Sequence, residues 1–240
     1  MGYQTDNHLI YQGKEELFAT ARCLKRYHFD IVHRMISHLE KDPQCILDFG
    51  AGIGTLVSEW QQQLGIQPEC LEIDPSSQKI LSEKNLIVHQ SYASLKQNSY
   101  DIVYSSNVLE HIEDDQAALR DIYKLIKPGG QLMLFLPAFM CIYNNLDRHV
   151  GHFRRYQQHD LKKKVELAGF KVTQAHYCDS LGFFVWGLLK FLGSSSKSHS
   201  SNDRSLKFYD AVLYRISTLM DQLGCKYLFG KNIFLTATKL

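Results

Sequence analysis

The chain is predicted to be an α/β protein with a largely parallel sheet covered by helices on both faces. Three observations carry this expectation. Short apolar runs alternate with helix-periodic segments along most of the 240 residues. The run Cys45-Ile46-Leu47-Asp48-Phe49 passes straight into Gly50-Ala51-Gly52-Ile53-Gly54, a strand ending in a glycine turn that opens a helix. Farther on, Lys127-Pro128-Gly129-Gly130 stops a helix and releases another apolar run.

The elements follow in order. Leu17, Leu24, Tyr27, Ile31, Met35 and Leu39 recur at helical spacing between about Glu15 and Glu40, predicting one or two helices before the core. Strand 1 is Cys45–Phe49, followed by a helix from Thr55 to about Leu64. Strand 2 is Cys70–Ile73, a helix follows around Ser76–Lys84, and strand 3 is Leu86–His89. Tyr100–Ser105 reads as strand 4. The helix after it, about Asp114–Ile126, buries Ala118, Leu119, Ile122 and Leu125. Strand 5 is Gln131–Leu136, ended by Pro137. Residues Ala138–Tyr156 lack periodicity and read as a functional loop. A helix near His159–Ala168 precedes strand 6, Phe170–His176. Ser194–Asp203 reads as a polar linker and Leu206–Leu223 as an amphipathic helix. Asn232–Thr238 is the last strand, whose orientation the pattern leaves open. One domain over residues 1–240 is expected, with cap helices at 13–40 and a helical insertion at about 180–230.

Composition narrows the function classes. A net charge of +2 gives no basis for nucleic-acid binding. Six cysteines without a C-x-x-C pair, and a polar start lacking a signal-peptide core, suit a reduced, cytoplasmic setting. The apolar run Leu181–Gly193 is too short to span a bilayer and contains Lys190. A buried or substrate-covering helix is the plain reading, and a peripheral membrane contact the sharper one.

A glycine turn at a helix start admits a ligand to the backbone and offers unpaired N–H groups with partial positive charge. Asp74 lies 20 residues beyond Gly54, a spacing suited to a carboxylate on a ribose diol, although Asp74 or Ser76 also suits a helix N-cap. Glu72 ranks below it as the weaker candidate. The spacing is G-x-G-x-G rather than G-x-G-x-x-G, and Asp48 stands where a pyrophosphate would come. A ligand with a cationic amino-acid end, such as an aminated, sulfonium-bearing adenosine, fits these charges better than NAD.

With these residues in place, the chain resembles the class I S-adenosylmethionine-dependent methyltransferases. The resemblance rests on Asp48–Gly54, Glu72-Ile73-Asp74-Pro75-Ser76, Tyr100–Val103, Asn107-Val108-Leu109-Glu110-His111-Ile112 and Leu125–Leu132. It implies a Rossmann-like seven-stranded, mostly parallel sheet with the last strand antiparallel. It also implies S-adenosylmethionine as methyl donor and S-adenosylhomocysteine as product. Gly50, Ala51, Gly52 and Gly54 would line the methionine and ribose portion, Asp48 the amino group, Asp74 the ribose hydroxyls and Pro75 the adenine edge. Asn107, Leu109 and His111 would close the pocket. Where the family carries an acid after strand 3, this chain has His89-Gln90-Ser91-Tyr92-Ala93, leaving Ser91 as a weaker adenine partner and Tyr92 for stacking.

A narrower resemblance covers Asp147–Tyr156, similar to a bacterial-type subgroup with a G-H-x-R-R-Y segment. The plain reading of Arg154, Arg155 and Tyr156 is a hydrogen-bonded brace. The functional reading makes them, with Tyr143, an acceptor site, and gives the proton of a hydroxyl acceptor to His149 or His152. His111 ranks third, and no metal is expected. The expected activity is O-methylation of a small-molecule or lipid-linked acceptor. A cofactor-binding accessory protein without turnover is the alternative, and an NAD-dependent enzyme a third.

Overall fold

The computed structural model describes residues 13–191 and 203–240. Helices α1 (Lys14–Cys23) and α2 (Lys25–Ser37) lead into β1 (Ile46–Phe49), α3 (Thr55–Leu64), β2 (Glu69–Leu71), α4 (Pro75–Glu83) and β3 (Val88–His89). Next come β4 (Tyr100–Ser106), α5 (Asp115–Leu125), β5 (Ile126–Pro137), α6 (Asn145–His149), α7 (Gln158–Leu167), β6 (Phe170–Cys178) and α8 (Ser180–Phe191). Helices α9 (Asp203–Phe208) and α10 (Tyr214–Gln222), joined by a π turn at Tyr209–Leu213, precede β7 (Asn232–Lys239).

The strands form one sheet in the order β3-β2-β1-β4-β5-β7-β6. All pairs are parallel except those of β7, which runs antiparallel to both β5 and β6. Strand alternation divides the core into two faces. Ile46, Ile102, Tyr104, Met133 and Phe135 pack with Trp60 of α3 and with Ile31, Val32 and Met35 of α2. Leu47, Val103, Leu132, Leu134 and Leu136 pack on the other side against α5 and α7. The strand order reverses between β1 and β4, so the turns leaving those two strands open a crevice at their carboxyl ends, where sheets of this kind hold ligands.

Local differences from the expected elements have local causes. Strand β2 ends at Leu71 rather than Ile73, because Glu72 turns its carboxylate back onto the backbone N–H groups of Ile73 and Asp74. The Lys127-Pro128-Gly129-Gly130 segment lies inside β5, not before it. A Cβ on Gly130 would stand 2.8 Å from the Asp101 carbonyl, so a glycine is needed for the strand to pass. Within 138–156 the structure forms α6, five residues long and closed by an Asn144–Asp147 capping box, too short to show a period. The last amphipathic helix begins at Asp203 and bulges around Asp210, whose carboxylate accepts the Arg26 and Tyr27 amides at 3.0 Å each. That contact satisfies the start of α2, where no local side chain caps the helix. The serine-rich linker lies outside the described residues apart from Asp203, which pairs with Arg22 at 2.8 Å. No helix among the described residues is long and apolar enough to cross a membrane.

Candidate active site

The glycine turn leaves β1 in a conformation that side chains resist. Gly50, Gly52 and Gly54 have φ of +87°, +54° and +78°. A Cβ on Gly50 would lie 2.5 Å from a Val108 methyl, and one on Gly54 2.8 Å from a Leu81 methyl. Gly54 starts α3 without a side-chain cap, so the turn presents helix N–H groups to the crevice. Asp48 lies beneath, buried, and accepts the Tyr104 hydroxyl at 2.8 Å. Burial pushes its carboxyl up to about 7 against the pull of that hydrogen bond, and the Glu72 charge adds to the rise.

The two acids after β2 take different partners. Glu72 accepts the Gly52 amide at 2.7 Å and the Ile73 and Asp74 amides at 2.8 Å each, which sets its carboxylate on the glycine turn. Asp74, expected on the ribose, instead caps α4: it accepts the Ser77 amide at 2.9 Å and the Ser76 hydroxyl, and pairs with Lys14 at 3.1 Å. Burial opposes its ionisation, but the bonds from Ser76, Ser77 and Lys14 together outweigh it and hold the carboxyl down at about 2. Alternation could not have ranked the two acids, because residues two apart share a face in a strand, and the strand itself stops at Leu71.

Helix α1 crosses this crevice. Leu17 approaches the position a Gly52 Cβ would take to 3.3 Å, while the neighbouring Glu16 reaches His149 at 3.8 Å. One turn of helix therefore joins the glycine turn to the loop after β5.

That loop is built around Asp147. Arg155 donates Nε and Nη2 to one Asp147 oxygen at 3.0 and 2.7 Å and Nη1 to the Ala138 carbonyl. His152 Nδ1 meets the same oxygen at 2.9 Å. Burial works against ionisation of Asp147, but His152 and Arg155 outweigh it and hold the carboxyl below its usual range. Arg154 donates to the Ile112 and Glu113 carbonyls and pairs with Asp115, to which Tyr156 also donates its hydroxyl at 2.9 Å. Arg154, Arg155 and Tyr156 thus form the hydrogen-bonded brace of the plain reading, each tied to an acceptor within the chain. Tyr143 donates to the His152 carbonyl at 2.7 Å, and its ring borders a cavity of about 220 Å³ shared with Asn144, Asn145, Arg148, Leu189 and Lys190.

The two candidate histidines differ. His149 is 44% exposed at the end of α6, whereas His152 is 13% exposed and faces inward. Its Nε2 lies 3.7 Å from Glu110, and its ring stands edge-on to His111 with centroids 4.5 Å apart. Burial pushes the Glu110 carboxyl up to about 7, against the pull of His152. Burial, together with His152, brings His111 down to about 4.

The other expected residues are spread about the crevice. Asn107 ends β4 with φ +53° and an exposed side chain, and Pro75 is the first residue of α4. Ser91 is exposed beyond β3, and its carbonyl accepts the Ser94 hydroxyl. Leu109 is wholly buried in the core, so its side chain supports the crevice from below instead of lining it. Sequence reasoning missed Glu16, Leu17 and Glu110, and ranked Glu72 second. Glu110 had a signal in its position beside His111.

Comparison with known proteins places the chain in a family. Residues 20–175 match the family described as "Methyltransferase domain". A ubiquinone biosynthesis O-methyltransferase of Xanthomonas oryzae is 32% identical over 99 residues, covering 37% of this chain and 41% of that protein. Phosphoethanolamine N-methyltransferase 1 of Triticum aestivum is 25% identical over 202 residues, covering 77% of this chain and 40% of that protein. The matched region thus spans about two fifths of each relative. A chain from the complex of the Haloferax volcanii Trm112 methyltransferase activator superposes with a TM-score of 0.66 at 12% identity, covering 97% of this chain and 99% of that one, a likeness of fold. The chain belongs to the methyltransferase-domain family.

Proposed function

We propose that this methyltransferase acts on a hydroxyl oxygen of a small-molecule or lipid-linked acceptor, received between the glycine turn and the loop at 138–156. The observation that carries this reading is the Asp147–His152 pair. Nδ1 of the imidazole is fixed by a buried carboxylate at 2.9 Å, and Nε2 is directed into the half-buried space beside Glu110. A histidine so oriented is suited to handling the proton of a hydroxyl.

S-adenosylmethionine supplies an electrophilic methyl group at its sulfonium. This chain's residues fit it: a turn that no Cβ can occupy, Asp48 for the amino end, and Glu72 rather than Asp74 for the ribose hydroxyls. Glu72 retains acceptor capacity beyond its three amide donors, since an ionised carboxylate offers about four lone-pair sites. Asn107, Pro75 and Ser91 stand around the remaining edge. Helix α1 covers the crevice through Leu17 and, with α2, acts as its cap. The exposed Phe184, Leu188 and Phe191 of α8 support an acceptor with a lipid portion or a peripheral membrane contact. An accessory protein without turnover would have no use for so heavily braced a histidine.

The test is an assay of extract and lipid fractions with isotopically labelled S-adenosylmethionine, the product being identified by mass and fragmentation. A labelled methyl ether is the expected outcome. A label carried only on nitrogen or carbon sinks the oxygen assignment.

A further inference from the structure

Among the described residues, Glu110 is the carboxylate whose two oxygens are both buried without a hydrogen-bond partner. Its side chain is fully buried, and neither carboxylate oxygen has a hydrogen-bond partner, although its own backbone N–H lies close enough to favour ionisation. Burying a carboxylate without partners is strongly unfavourable, and buried charges are ordinarily paired or bound to metal. The groups nearest to it are imidazoles. One donor atom from each of Glu110, His111 and His152 lies within 4.8 Å of the other two.

We propose that Glu110, His111 and His152 bind one first-row divalent cation, of the zinc or manganese type, and that its open coordination positions take the acceptor hydroxyl. The proposal rests on the hydroxyl-acceptor reading above for its substrate and on geometry alone for its existence, and it replaces that reading's base: with Nε2 on the ion and Nδ1 on Asp147, His152 holds the metal and the ion activates the hydroxyl. One carboxylate with two imidazoles is a donor set suited to such ions, and three protein ligands leave positions for a substrate. Two donors at about 2.1 Å from one ion stand at most about 4.2 Å apart. The Glu110–His152 pair, at 3.7 Å, already meets this limit, and the widest pair has to close only slightly.

The surroundings are those of a held site. Asp147 fixes His152 through Nδ1, the carboxylate–histidine arrangement that orients metal-binding imidazoles. The Phe153 amide donates to the Glu110 carbonyl at 2.8 Å, tying the loop that carries His152 to the turn that carries the other two. The absence of a metal expected from the sequence rested on seeing no carboxylate near the histidines; folding brings Glu110 to them.

An ion here lowers the pKa of a hydroxyl it coordinates. The O–H bond breaks with its proton passing to bulk water, the oxygen forms a bond to the methyl carbon, and the carbon–sulfur bond breaks to leave a neutral thioether.

The experiment titrates Mn²⁺, followed by electron paramagnetic resonance, and Zn²⁺, followed by calorimetry, into the full chain stripped with EDTA. Uptake of one ion per chain is expected, weakened at least about tenfold in Glu110→Gln and in His152→Ala, with S-adenosylmethionine affinity near wild type in both. Failure of the wild type to bind either ion stoichiometrically, or equal binding by both variants, overturns the site. Should the variants unfold, the wild-type melting temperature decides: an ion bound only by the native state must raise it, and no rise overturns the proposal. Undiminished methyl-ether formation by the stripped protein removes the metal's role while leaving the methyl-transfer reading. Ion uptake without any methyl ether supports the site and removes that reading instead.

Discussion

The carboxylate of Glu72 holds the amide of Gly52 at 2.7 Å, so the acid after β2 and the glycine turn after β1 form one unit. Glu72→Ala is expected to weaken S-adenosylmethionine binding by about 10- to 100-fold, the worth of a charged hydrogen bond. Asp74→Ala should instead lower stability by about 1 kcal/mol, the usual worth of an N-cap. Calorimetry and thermal melts on both variants separate the two roles. Equal affinity losses would return the ribose contact to Asp74.

Gly50 has φ +87° and faces the Val108 methyls. Gly50→Ala therefore adds a left-handed backbone penalty of about 1–2 kcal/mol and pushes on β4's exit turn. Cofactor affinity should fall far more than in Gly65→Ala, where φ is +73° but nothing lies within 4 Å of the added carbon. Calorimetry with S-adenosylmethionine makes the comparison.

Asp48 predicts a pH dependence whose sign is opposite to that of a salt-bridged acid. Burial raises its folded-state value to about 7, above the ordinary carboxylate value of about 4. Between those limits the folded chain holds the extra proton, so this group's contribution is full below about 4 and is lost as pH rises through about 7. Asp48→Asn, which retains a partner for Tyr104, should gain stability over wild type as pH rises across that window. Denaturant melts of the ligand-free protein at several pH values measure it, and a difference that does not change with pH counts against it.

The Arg155–Asp147 pair is buried, with Nη2 at 2.7 Å from the carboxylate. Arg155→Ala leaves Asp147 without its main counter-charge and is expected to destabilise by about 3–5 kcal/mol. Arg155→Lys should recover part of this, since an ammonium cannot reproduce the forked contact. Melting temperatures report the order wild type, Lys, Ala.

His149 and His152 should separate in turnover. His152→Ala is expected to slow release of S-adenosylhomocysteine by about a hundredfold or more, the range of a lost proton-handling group. His149→Ala, exposed and facing Glu16, should slow it by less than about tenfold. Comparable losses would place His149 at the reacting hydroxyl as well.

What the sequence determined by itself is the local periodic order: the apolar strands, the glycine turn, the helix stop near Lys127 and the amphipathic helices. These are set by neighbours along the chain, which is why the alternating α/β pattern was legible; the methyl donor was what the motifs' resemblance to a family implied. Tertiary structure decided the rest. The antiparallel course of β7 depends on its pairing with β5 and β6. Glu72 reached the Gly52 amide and Asp74 became a helix cap because the chain leaves the strand at Leu71 and turns into α4. Arg154, Arg155 and Tyr156 became a brace because Asp115 and Asp147 are brought to them in space. Glu110 met His152, 42 positions away, only when the loop after β5 folded onto the turn after β4. A buried carboxylate has no periodic signature; its meaning lies in which side chains the fold sets beside it.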